Sequence, residues 1–236
     1  MTLSFKNSKI YRGLKSATSK RINRLINATV YNHESARRLL ALADSADYAA
    51  GNMAGALASA DAGRIMSNSL AVATAQGLGL EFGVWSGRSI NRIADHFGSD
   101  RQVHGFDSFE GLPEDWVVPY SKGTFDRRGD LPVVRCNVKL HVGWFEKTLP
   151  DFVAKNRDSI AFLHVDCDLY SSTKTIFDAL GERLVAGSVI LFDEYFNYPG
   201  WREHEHRAFQ ELVEARSLKF RWIAYNTSER TSRCKS

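Results

Sequence analysis

The residues with most chemistry to offer stand where short apolar runs stop. One run, Leu78–Phe82, leads into Glu81-Phe82-Gly83-Val84-Trp85-Ser86-Gly87. Glycines at 83 and 87 let the backbone turn sharply and approach a ligand with no Cβ in the way. The pattern is E-x-G-x-x-x-G, which differs from the G-x-G-x-x-G that dinucleotide folds place between strand and helix. A second run, 103–106, ends at Asp107. An acid there can accept two hydrogen bonds from a ribose diol, or it can cap a turn. Coupled to the glycine pattern, the nucleoside reading is the stronger one.

Three further acids close two more runs. Asp166 follows the apolar stretch in LHVDCDLYSST, and Asp193 and Glu194 follow that in VILFDEYF. Neighbouring parallel strands lie about 5 Å apart, so carboxylates at their ends converge. Clustered carboxylates repel unless they share a proton or a cation, and oxygen-only ligands suit a hard ion such as magnesium or calcium. Such an ion would help an aliphatic hydroxyl react as a nucleophile. The competing reading is ordinary surface or cap residues. Asp168 is read as a loop or cap residue rather than a ligand, and His164, inside its strand, as a hydrogen-bonded core histidine. In YPGWREHEHRAFQEL, His204 and His206 could act as a general base or touch substrate. Two positions apart on a helix they point in different directions, so one of them, His204 by preference, faces the site.

These residues need a sheet to hold them. After position 75 short apolar runs alternate with helical stretches, the pattern of an α/β fold with a parallel sheet. Strands are predicted at Leu78–Phe82, 103–106, Val138–Val142, Ile160–Val165, 188–192 and 220–225. Helices are predicted at 87–97, 172–184 and 203–215. The stretch DSFEGLPEDWVVPYSKGTFDRRGDLP is too rich in Gly, Pro and charge for a regular element. Residues 34–74, rich in Ala, Leu and Met and free of proline, read as two or three helices, with Gly51 and Gly55 between them. The expected organisation is a basic arm over 1–33, a helical extension over 34–75 and an α/β domain over 76–236.

Composition narrows the function. Hydrophobic residues make up 44% of 236 and charged residues 25%, enough for a core and too ordered in pattern for global disorder. Three separated cysteines, Cys136, Cys167 and Cys234, give neither a disulfide framework nor a thiolate zinc site and fit a reducing, cytoplasmic setting. No run approaches the ~20 apolar residues of a membrane span, and the N-terminus lacks the pattern of a secretory signal. The net charge of +4 is uneven. Lys6, Lys9, Arg12, Lys15, Lys20, Arg21 and Arg24 precede His33 with no acid among them, and the remainder is net acidic. Nucleic acid is therefore not expected as the main partner. The arm reads as a solvated, partly helical tail, with peripheral contact to an anionic membrane surface or polymer, or a cleaved transit peptide, as the alternatives.

With these motifs in hand, the chain resembles the macrocin and mycinamicin sugar O-methyltransferase family, from about 80 to 225. The resemblance rests on LEFGVWSGRS, GFDSFEGLP, KGTF, VGWFEKTLP, HVDCDLYSST and DEYFNYPGWREHEHRAF, in that order. It implies a Rossmann-like class I fold, S-adenosylmethionine as cofactor and a homodimer. The acceptor would be a sugar hydroxyl on a glycan precursor, glycolipid or glycosylated natural product. Glu81, Gly83, Trp85, Ser86 and Gly87 would line the methionine and ribose side, Asp107 the ribose, and Ser108 and Phe109 its neighbourhood. Gly143, Trp144 and Phe145 would lie near the adenine. Asp166, Asp193 and Glu194 would hold magnesium and through it a sugar diol, and Asp166 or His204 would take the proton. Metal-dependent catechol methyltransferases, a more distant likeness, carry a lysine where this chain has Leu169. Two departures stand out: the family's Asp-Asp pair is Asp193-Glu194 here, and only TSERTSRCKS remains where a last antiparallel strand is expected. The competing classes are a nicotinamide-dependent nucleotide-sugar oxidoreductase or epimerase, disfavoured by the missing glycine fingerprint, and a non-catalytic module that binds the cofactor.

Overall fold

The computed structural model describes residues 32–228, together with Lys20, Arg21 and Arg24. Most of the basic arm and the end of the C-terminal tail lie outside the described residues.

The helical extension opens with α1 (His33–Asn52), where Asn32 caps the helix by accepting the Glu34 N–H at 2.9 Å. Its buried side is a stripe of small residues, Ala41, Ser45 and Ala49, spaced four apart so that one face meets the domain. A short strand, β1 (Leu57–Ser59), comes before α2 (Ala62–Ala71). The extension thus holds two helices and a strand where only helices were expected. Three residues are too few to carry a strand pattern, and β1 exists only through a distant partner.

The domain follows as β2 (Leu78–Phe82), α3 (Arg88–Phe97), β3 (Val103–Asp107), β4 (Val138–Val142), α4 (Phe145–Lys155), β5 (Ile160–Val165), α5 (Tyr170–Leu180), β6 (Leu184–Phe192), α6 (Glu205–Arg216) and β7 (Ala224–Asn226). Five strands form one parallel sheet in the order β4-β3-β2-β5-β6. The central β2, LGLEF, is buried at every position, as expected of a strand covered on both faces. One face, with Leu80, Phe82, Phe106, Leu163 and Val165, packs on α4, α5 and α6. The other, with Val103, Phe162 and Val189, packs on α2 and α3. α4 was not expected from the sequence, because Pro150 stands inside it. β6 begins four residues before the expected 188.

The strand expected at 220–225 does not join this sheet. Its structured part, β7, pairs in parallel with β1, Ala58 opposite Tyr225. Among the described residues nothing pairs with the outer edge of β6, so the anticipated last antiparallel strand has no counterpart there. A cavity of about 1240 Å³ runs between that edge and residues 218–226, and reaches Trp85, Ser86, Asp166 and Asp193 at its upper end. Among the described residues no helix is long and apolar enough to cross a membrane.

Candidate active site

From β2 the chain runs to β3 and β4 on one side, then returns to β5 on the other. The carboxyl end of β2 is therefore a topological switch point, the crevice where open α/β sheets bind ligands. Gly83 leaves β2 at φ +93, and a Cβ placed there would lie 1.7 Å from the carbonyl oxygen of Asp166. No other residue fits, so the glycine loop and the first acid of the rim are in direct backbone contact. Gly87 (φ +78) starts α3, with Pro132 from the long loop resting on it.

Glu81 is fully buried. It stands opposite His164 on β5, and Nδ1 of His164 lies 2.7 Å from its Oε1. Burial alone would push the imidazole down. The hydrogen bond and charge of Glu81, with Asp166 and Asp193 beyond, instead hold its pKa up at about 9. His164 is the hydrogen-bonded core histidine read from the sequence, and Glu81 supports the loop from beneath.

Asp107 turns its carboxylate toward backbone. Oδ2 accepts the N–H groups of Val84 and Trp85 at 2.8 and 2.7 Å, and Oδ1 that of Phe109 at 2.7 Å. Trp85 (φ 42) and Phe109 (φ 58) both have left-handed backbones, which cost a non-glycine residue about 1–2 kcal/mol each. Charge-assisted bonds to one acid offset that strain at both. Ser108 is buried, and its hydroxyl accepts the Glu110 N–H at 3.2 Å. One strand further on, Gly143 (φ +136) and Trp144 precede α4, Trp144 being its N-cap. The Phe145 ring packs edge-on against Phe82 at 5.1 Å. Neither Asp107 nor residues 143–145 line the large cavity, which on this side is bordered by Val84, Trp85, Ser86, Arg88 and Ser89.

The acid rim differs in membership from the trio expected. Carboxylate oxygens of Asp166, Asp168 and Glu194 all lie within 4.8 Å of one another. Asp193 is outside this group and lines the large cavity with Asp166. Asp168 is buried and reaches the cluster because its own backbone turns left-handed (φ 66). It does not cap α5, whose N-cap is Leu169. On a regular strand, residues two apart share a face, but here the strand stops at Val165 and the turn decides. No sequence signal short of that φ marks Asp168. Cys167, between them, is buried, and burial pushes its thiol pKa up, away from the reactive thiolate.

His204 and His206 face different surroundings. His206 sits among Tyr48, Tyr195 and Trp201, at 5.5, 5.2 and 4.8 Å between ring centres, against α1. His204 lies beside Trp116 and Tyr198, and its Nδ1 is buried without a hydrogen-bond partner. Burial lowers its pKa, which favours the neutral ring. Trp116 comes from the long loop after β3, which is fastened to the first turn of α5 by a 2.6 Å bond from Ser171 Oγ to Glu114. Trp116 and Glu114 lie in the irregular stretch rich in Gly, Pro and charge, where no local pattern marks them.

Residues 80–195, the span that carries both the glycine loop and the acid rim, match a family described as a methyltransferase domain. That span is similar to methyltransferase domains, and the five-stranded parallel sheet flanked by helices agrees with their fold. Over 161 residues it is 32% identical to a demethyldecarbamoylnovobiocin O-methyltransferase of Streptomyces niveus, covering 57% of this chain and 60% of that one. Over 140 residues it is 31% identical to the 8-demethyl-8-(2,3-dimethoxy-alpha-L-rhamnosyl)-tetracenomycin-C 4'-O-methyltransferase of Streptomyces olivaceus, covering 49% and 52%. The chain thus matches between half and three fifths of the length of these curated relatives. The crystal structure of a calicheamicin methyltransferase has a similar domain, with a TM-score of 0.58 at 26% identity over 68% of this chain and 73% of that one.

Proposed function

We propose that this chain transfers the methyl group of S-adenosylmethionine to a hydroxyl of a sugar carried by a natural product or related glycoconjugate. The observation that carries the reading is the contact between the β2 loop and the acid rim. Gly83 leaves no room for a Cβ against the Asp166 carbonyl, so a nucleoside held by that loop lies beside the carboxylates. The activities of the two curated relatives, both O-methyltransferases, support the reaction type.

The sulfonium donor is already activated, so the protein must align oxygen, methyl carbon and sulfur and remove a proton. The residues of 83–87 and 107–109 would bind the donor, with Glu81 supporting that loop from beneath and Gly143, Trp144 and Phe145 toward the adenine. The acids would bind the acceptor. Asp166, Asp168 and Glu194 fit a hard divalent ion such as magnesium, because three carboxylates this close need a shared cation or proton. When bound, such an ion would lower the pKa of a coordinated hydroxyl. His204, neutral and with Nδ1 free to accept, or Asp166, would receive the proton.

The test is methyl transfer from labelled S-adenosylmethionine to a panel of rhamnosides and other glycosides, with and without chelator, backed by calorimetry with S-adenosylhomocysteine. Transfer to sugar hydroxyls is the expected result. A protein that binds no S-adenosylhomocysteine overturns the proposal.

A further inference from the structure

The cavity beside the outer edge of β6 holds about 1240 Å³. Pockets that enclose whole drug-sized ligands run to roughly 300–1,000 Å³, so one sugar ring would leave most of this space empty. Its two ends differ in chemistry. At the upper end stand Trp85, Ser86, His164, Asp166 and Asp193. Away from that end, no buried or half-buried residue of the lining bears a charge, and the walls are side chains such as Met66, Ile190 and Trp222. The four cations of the lining, Arg88, Arg92, Lys219 and Arg221, are all exposed. Apolar side chains also face solvent there: Val72, Val185 and Phe220 line the cavity while 37, 45 and 47% exposed. Exposed apolar groups gathered in one place mark a surface that takes a ligand.

We propose that this cavity seats the group to which the acceptor sugar is attached, and that this group is a large, uncharged, mainly apolar aglycone. The assignment rests on the methyltransferase reading of the acid rim. The cavity is continuous with Asp166 and Asp193, so a sugar held at the rim has its carrier along the edge of β6. No strand covers that edge among the described residues, which leaves the space open. Water against such walls makes few hydrogen bonds, and an apolar group that displaces it gains affinity. A phosphate-linked carrier would instead bring its charge against apolar walls, at a cost in desolvation.

The experiment compares n-alkyl rhamnosides, from methyl to octyl and each below its micelle-forming concentration, as acceptors for the full chain. KM should fall by up to about fourfold for each methylene that enters the cavity, with kcat nearly constant. Ala60 is an exposed residue of the lining, and Ala60→Trp should flatten the dependence on chain length while S-adenosylhomocysteine affinity holds. A wild-type KM that is the same for methyl and octyl rhamnoside overturns the assignment. That result is expected if residues 229–236 or a second copy of the chain fill the space, or if the carrier is a nucleoside diphosphate. It needs no variant. The neutral fluorophore N-phenylnaphthylamine tests the cavity without turnover: the wild type should bind it and release it to octyl but not methyl rhamnoside. Absence of S-adenosylhomocysteine binding would count against the methyltransferase reading instead, and failure of the folded wild type to bind the fluorophore would still overturn the apolar seat.

Discussion

His164 and Glu81 form a buried pair, 2.7 Å apart, across two neighbouring strands beneath the β2–α3 loop. Removing one partner of such a pair leaves a charge in a dry interior, at about 3–5 kcal/mol, whereas replacing both by apolar groups costs much less. Glu81→Leu should therefore destabilise the protein more than the double change Glu81→Leu with His164→Leu, as read by urea unfolding. The pair also fixes a sign. The His164 pKa rises from 6.5 to about 9 on folding, so its contribution is complete below pH 6.5 and fades as pH climbs through about 9. Glu81→Gln should flatten the wild-type decline in unfolding midpoint between pH 7 and pH 9.

His104 and His141 give the opposite slope. They stand 3.1 Å apart on β3 and β4, and His141 stacks on Phe106. Burial, with His141 and Lys139 beside His104 and with Lys139 and Lys155 near His141, lowers both pKa values to about 4. The unfolded chain binds more protons than the folded one between about 4 and 6.5, so stability should fall as pH drops through that window. H141F keeps the ring stack and removes one titrating group. Its denaturation midpoint should depend less on pH between 7 and 4.5 than that of the wild type, and equal slopes would refute the assignment.

If the three clustered acids share an ion, they should matter more to it than Asp193 does. D166N, D168N and E194Q should each weaken manganese or magnesium binding by about tenfold or more, the least expected for loss of a direct ligand. D193N, which lies outside the cluster, should weaken it less and act mainly on acceptor KM. Calorimetric metal titrations of the four variants decide this, and a D193N deficit as large as that of D168N contradicts the geometry.

Ser45 links the extension to the acceptor side. It is fully buried in α1, donates to the Ala41 carbonyl at 2.7 Å, and accepts the N–H of Asn197 at 2.9 Å. Asn197 is left-handed (φ 73) and follows Glu194 in the loop after β6. S45A leaves that N–H without its acceptor and should cost about 1–3 kcal/mol. Because the loop bears Glu194, kcat should fall while S-adenosylhomocysteine affinity holds. Loss of cofactor affinity instead would show that the loop does not act on the acceptor side alone.

The alternation of apolar runs and helical stretches was enough to place β2, β3 and β5 and the α/β class, because strands covered on both faces must be largely apolar wherever they lie. β4, a partly exposed edge strand, shows Val138, Leu140 and Val142 alternating with Lys139 and His141. Glycines 83 and 87 marked the ligand loop for the same local reason: the turn cannot be made otherwise. Elements that depend on a remote partner were silent. β1 is three residues that mean nothing until β7 arrives beside them, and α4 hides behind an internal proline. Asp168 was set aside because strand spacing says nothing about a residue that has already left the strand.

What the chain order settled was therefore which residues stand at the carboxyl ends of strands, and with them the two groups of side chains on which the proposed site is built. Tertiary structure decided how those acids spend their lone pairs. Asp107 gives three of them to backbone amides, Asp168 swings into the cluster and Asp193 faces the cavity. A carboxylate's role depends on the donors and charges within a few ångströms of it, and those come from segments that only folding brings together.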